Sequence, residues 1–177
     1  MHPNRRLPVV CALRAPRRRR PPERVHAHAR THRHRILLYN LEGELFFGSA
    51  ASLEKQLASA QRRANGQTRV VVLRVKRVRN PDAVCLHLLD TFIKHLQTRG
   101  ITVLLCGVRQ DLAKAMHATG LEAHLGPSNI FPEAASVMSS TLDALRYAYT
   151  LIGDDTCSTC PRRKPVAEAT ETWDYTI

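Results

Sequence analysis

From residue 36 onward the sequence alternates short apolar runs with longer amphipathic segments, and this alternation restricts the fold more than any other feature of the chain. Residues 69–76 contain Val70-Val71-Val72-Leu73, and residues 101–107 contain Val103-Leu104-Leu105. Unbroken apolar runs of this length, rich in β-branched side chains, suit strands buried on both faces. Between the runs lie segments with helical spacing. Residues 49–64 put Ala50, Leu53, Leu57 and Ala60 on one stripe, with Ser49 or Ser52 as cap and Asn65-Gly66 as the stop. Asp82 caps a second helix reaching residue 99, with Cys85, Leu86, Leu89, Ile93 and Leu96 inward and Gly100 ending it. A third helix covers residues 110–119, and a last one, residues 140–152, opens on Ser140-Thr141-Leu142-Asp143.

The expected class is α/β, one domain with a mixed, mainly parallel sheet of four or five strands and about four helices. Residues 36–41 and 44–47 are β-rich runs on either side of Glu42-Gly43, which predicts an N-terminal β-hairpin with a tight turn. Residues 121–132 read as loop, with a short strand near residues 129–131. The longest apolar run, residues 101–108, is strand-sized, far below the roughly 20 residues that span a bilayer.

The net charge of +12 is concentrated at one end, because 16 of the 27 basic residues and 14 of the 15 acidic ones follow residue 35. Residues 1–34 form an Arg-, His- and Pro-rich leader with the block Arg17 to Arg20 and a histidine cluster at His26, His28, His32 and His34. Such a composition buries too little apolar surface to offset its ordering entropy, so the leader is expected to be disordered. Its arginines suit nucleic acid or an anionic membrane surface, its histidines a divalent metal, and an extension without a role of its own fits equally well. The expected organisation is a leader at 1–34, a near-neutral domain at 35–153 and a polar tail at 154–177.

No constellation for catalysis is legible. The chain lacks a Gly-rich phosphate loop, a Gly-x-Ser-x-Gly elbow and a His-Glu-x-x-His helix. No enzyme activity and no cofactor are expected. Five cysteines without regular spacing suit a reducing compartment. Cys85 and Cys106 lie on apolar faces and read as core. Cys157 and Cys160 make a Cys-x-x-Cys pair, which offers half of a zinc site or a reversible dithiol; a full site needs a second chain or leader histidines.

Several runs taken together resemble a known family. They are Leu41-Glu42-Gly43-Glu44-Leu45-Phe46-Phe47-Gly48, the run at residues 69–75 followed by Asp82-Ala83, the run at residues 99–109, and Asn129-Ile130-Phe131-Pro132. In order and spacing they resemble the STAS domain, the sulphate transporter and anti-sigma factor antagonist family, and most closely the cytoplasmic C-terminal STAS domain of SulP-type anion permeases. The resemblance covers about residues 35–163. It implies a non-enzymatic regulatory module that works by protein contact, with a membrane anion permease or a signalling protein as partner. It also implies a cytoplasmic location, peripheral to the inner face of the membrane.

In antagonist-type members a Ser or Thr at the start of the helix after the central strand is phosphorylated and switches binding. Asp82 and Ala83 match that motif, but Val84 and Cys85 stand where the hydroxyl and a glycine belong, so no phosphorylation is expected at Val84. Arg74, Lys76, Arg77 and Arg79 precede the turn, where the family has Asp and Ser. Together with Asp82, Ala83, Val84 and Cys85 they are the candidate docking or anion-binding residues. Two alternatives to a docking module stay open: nucleic-acid binding through the leader, and sensing of an anion or nucleotide at this turn.

Overall fold

The computed structural model describes residues 12–13, 35–134 and 139–155. Five parallel strands lie side by side in chain order: β1 (Ala12–Leu13), β2 (Ile36–Glu44), β3 (Val70–Arg79), β4 (Thr102–Val108) and β5 (Ile130–Pro132). The helices are α1 (Ala50–Arg63), α2 (Ala83–Thr98), α3 (Gln110–Ala118), α4 (Leu121–Leu125) and α5 (Ser139–Ile152). The α/β class read from the alternation is the observed one. Successive parallel strands laid down in one direction, with crossovers of one hand, send every connecting helix to the same face. Accordingly α1 to α4 share a core with Val71, Leu73, Val75, Val103 and Leu105. The opposite face, with Val70, Val72, Leu104 and Cys106, is covered by α5 through Ala144, Leu145, Ala148 and Ile152. Ala144 and Ala148 are fully buried, and their small side chains let the helix lie close to the strands.

The expected N-terminal hairpin does not form, and the sheet is parallel throughout the described residues rather than mixed. Ile36–Glu44 is one strand that runs past Glu42-Gly43. A tight hairpin turn of the Asx-Gly kind needs positive φ at both central residues. Only Gly43 has it (φ 115°), and Glu42 stays in strand geometry, bonded through its carboxylate to Arg77 Nη1 at 2.9 Å. The chain uses Gly43 to accommodate an irregularity instead. Asn40 is level with Arg74 and Glu42 with Arg77, so β3 carries one extra residue against β2. The segment after β2, read as a second strand, turns instead through a 3-10 turn (Phe47–Ser49) into α1.

Two smaller differences follow from short elements. Leu121 and Leu125, four residues apart and both buried, make α4 a helical turn where a loop was expected, which brings the helices to five. The short strand expected near residues 129–131 is β5. Ala12 and Leu13 pair with Leu38 and Tyr39, and the rest of the leader lies outside the described residues.

A second irregularity lies at Gly107. Cys106 is level with Phe131 and Val108 with Pro132, so β4 has one residue more than β5, and Gly107 takes φ +74°. A Cβ there would stand 2.9 Å from Lys76 Cβ and 3.2 Å from Lys76 N and Cα. Both conformation and space demand glycine. On the helix side, Asp90 of α2 receives Lys94 Nζ at 2.7 Å and His124 Nδ1 at 3.0 Å, which ties α4 to α2. Burial works against the Asp90 charge, but the hydrogen bonds from Lys94 and His124 outweigh it and hold the carboxyl below the usual carboxylate range.

Gly107→Ala is expected to lower unfolding free energy by about 2 kcal/mol in urea titration, through strain and the clash with Lys76. Asp90 contributes stability that is present above the unfolded carboxylate pKa of about 3.9 and is lost as pH falls through its lower folded value. Asp90→Asn should therefore cost about 1 kcal/mol at pH 7 and flatten the acid limb of a stability profile below about pH 4.

Candidate functional site

The junction between β3 and α2 is built from two backbone segments stapled together. Leu45 is buried, its N–H donates to Arg79 O at 2.7 Å, and its carbonyl accepts from Asp82 N at 2.7 Å. Residues 45–49 are thereby laid against the start of α2. Asp82 caps the helix as the sequence implies, with Oδ1 accepting from Cys85 N at 2.9 Å. One turn in, the fully buried Cys85 donates its thiol to Phe46 O at 3.3 Å. Ser49 N and Ser49 Oγ also reach Phe46 O, each at 2.8 Å, and Ser49 Oγ lies close to Glu44 O as well. Asn80, at the turn, adopts φ +50° and is the one non-glycine residue with positive φ among those described.

Electrostatics keep both described thiols neutral. Burial pushes Cys85 up, the nearby Asp82 carboxylate adds to it, and the Ser49 hydrogen bond opposes them without prevailing. Cys106 is likewise raised by burial, against the Thr141 hydrogen bond and the Arg74 charge. Protonated, buried thiols act here as weak donors within the core. Two large apolar side chains stand exposed at this junction: Val84, in the first turn of α2, is 52% exposed and Phe46 39% exposed. Ala83 beside them is also exposed.

The eight candidate residues divide into two groups. Asp82, Ala83, Val84 and Cys85 come together in the first turn of α2. The four cations are distributed along β3. Arg74 is half-buried on the sheet face that α5 covers, level with Asn40 and Cys106. Lys76 pairs with Glu133 at 3.2 Å and Arg77 with Glu42 at 2.9 Å, while Arg79 is exposed at the strand end. Sequence reasoning missed Leu45, Phe46 and Ser49 as parts of this site, because residues 44–47 read as a strand; the family-like run ending in Gly48 marked the segment without showing what it touches. Cys157 and Cys160 lie outside the described residues. Among those described, no group of three or more His, Cys, Asp or Glu is placed to hold a metal ion. No described helix is long and apolar enough to cross a membrane.

The model of the STAS domain family matches residues 28–137, more than half of the chain. The chain belongs to the STAS domain family. Among solved structures, a sulfate transporter family protein from Wolinella succinogenes matches at 30% identity and TM-score 0.52, covering 66% of this chain and 87% of that one. A SulP transporter STAS domain from Vibrio cholerae matches at 26% identity and TM-score 0.52, covering 67% and 84%. The murine Solute Carrier 26 family member A9 anion transporter shares the fold at 13% identity and TM-score 0.56, over 66% of this chain and 18% of that one. No curated protein sequence matches significantly. This STAS domain thus resembles those of SulP transporters.

The Asp82 cap has a direct test. Asp82→Ala should lower stability by about 1 kcal/mol and Asp82→Asn by much less, since an amide oxygen also accepts from a helix N–H. Urea unfolding of the two variants measures the difference.

Proposed function

We propose that this STAS domain is a non-enzymatic docking module for a SulP-type anion permease, acting at the cytoplasmic face of the membrane through the β3–α2 junction. The observation behind this reading is the exposed Val84 in the first turn of α2, with the exposed Phe46 on the segment whose backbone is bonded to that turn. In a switchable member the side chain here gains two negative charges at a helix N-terminus, which makes or breaks a contact. Valine accepts no phosphate. The surface stays apolar, so docking is constitutive, driven by desolvation of Val84 and Phe46 rather than gated by a kinase. Neutral buried thiols and the lack of a catalytic constellation in the sequence support a contact role. Similarity to the Vibrio cholerae SulP transporter domain supports the choice of partner.

The test is co-flotation of the purified chain with phosphatidylcholine vesicles, with or without the membrane region of a SulP permease. Neutral lipid removes the attraction of the arginine-rich leader for anionic surfaces. Binding only to permease vesicles is expected, with Val84→Asp and Phe46→Ala each weakening it at least tenfold while the circular dichroism spectrum is unchanged, since both side chains are partly exposed. Equal binding to empty vesicles, or none to permease vesicles, overturns the reading.

A further inference from the structure

One row of side chains crosses the sheet beneath α5: Asn40 on β2, Arg74 on β3, Cys106 on β4 and Phe131 on β5 stand level with one another in register. Residues level in a parallel sheet point to the same face, and neighbouring strands lie about 4.8 Å apart. Two adjacent members of the row hold buried polar atoms with no partner, Asn40 Oδ1 and Arg74 Nε. The orientation of the Asn40 amide is set by its other end, because Nδ2 donates to Glu42 Oε1 at 2.7 Å and a carboxylate only accepts. A residue with an unpaired acceptor therefore stands level, on the neighbouring strand, with one that holds an unpaired donor.

Charge adds a second demand. Lys76 is neutralised by Glu133 and Arg77 by Glu42, whereas half-buried Arg74 has no acidic partner among the described residues. From α5 the hydroxyl of Thr141, third in the helix, accepts from Cys106 Sγ of this row at 3.7 Å. Its position adds the partial positive charge of a helix N-terminus to that of the guanidinium. A cation held this way favours an anion, and a buried acceptor beside it favours one that still carries a hydrogen.

We propose that Asn40 and Arg74 form a subsite for a small oxyanion that retains an O–H at neutral pH, of the hydrogen phosphate or hydrogen carbonate kind. An anionic oxygen of the ligand accepts from Arg74 Nε–H, and its hydroxyl donates to Asn40 Oδ1. Fully deprotonated sulfate satisfies only the first bond and leaves Asn40 Oδ1 unpaired. The site thus discriminates by ligand protonation, on the face of the sheet opposite α1 to α4, and does not depend on the docking role of Val84.

The experiment follows the Arg74 Nε–H resonance of the full chain by NMR at pH 7.5 and fixed ionic strength, with phosphate, hydrogen carbonate and sulfate titrated separately. Expected is a saturable shift with phosphate or hydrogen carbonate, whichever fits the space, and at least tenfold weaker binding of sulfate. Asn40→Leu should bring the preferred ion and sulfate to within threefold of each other. Arg74→Lys keeps a charge but lacks Nε–H; its ion-dependent rise in melting temperature should vanish, whereas attraction to the leader would persist. Equal binding of sulfate to the wild type, no saturation with either hydrogen-bearing ion, or an unaltered response of the Arg74→Lys variant overturns the proposal; a single trapped water as occupant gives the second of these results.

Discussion

The structure depends on β3 and β4 being apolar on both faces. Val70 to Leu73 and Val103 to Cys106 are all essentially shut off from water, so two layers of helix are required to cover them. Chain order decides how the layers are filled. With strands added in sequence, the connecting helices all fall on one side, and the other face stays open until the chain has finished the sheet. That face is closed by α5 alone, with Ala144 and Ala148 allowing a close approach. The end of α5 is pinned by Asp155, which pairs with Arg35 at 2.6 Å and Arg69 at 3.4 Å at the starts of β2 and β3.

The same two-layer arrangement separates two chemistries along β3. Where the strand alternates strictly, one side feeds the α1–α4 core and the other the α5 core. The extra residue in β3 breaks that alternation: Val75 and Val78, three apart, both enter the α1–α4 core. Arg74, just before the extra residue, is left under α5 by the regular alternation, whereas beyond it Lys76 and Arg77 reach carboxylates at the margin and the chain arrives at Asn80 turned for entry into α2. The β3–α2 junction, the proposed docking surface, is formed at the end of this path, where Leu45 bridges Arg79 and Asp82 through its own backbone. Neither the Val84 patch nor the Arg74 row belongs to one element; each depends on the registers on either side of β3.

Helices α1, α2, α3 and α5 were legible because their apolar spacing is set locally, reinforced in α2 by the Asp82 cap, and local agreement of this kind survives packing; Ser49 stands at the start of α1 as expected, but its hydroxyl donates to Glu44 O and Phe46 O instead of capping the helix. The same held for the apolar strands. Glu42-Gly43 misled because one glycine serves equally for a hairpin or for a strand irregularity, and the choice rests on whether a long parallel partner is present. Leu121 to Leu125 is too short for periodicity to show. Of the candidate site, Asp82, Ala83, Val84 and Cys85 were found by motif, while Phe46 and Ser49 were hidden because their contacts lie more than thirty residues away or run to backbone oxygens.

By itself the sequence determined the class, the positions of the main helices and the cap at Asp82, since each of these is set by residue type at short range. Only tertiary structure decided the direction of β2, the fate of the four β3 cations and the pairing of Asn40 with Arg74. Those outcomes depend on inter-strand register, and a one-residue slip in register changes which face a side chain joins and which charges meet.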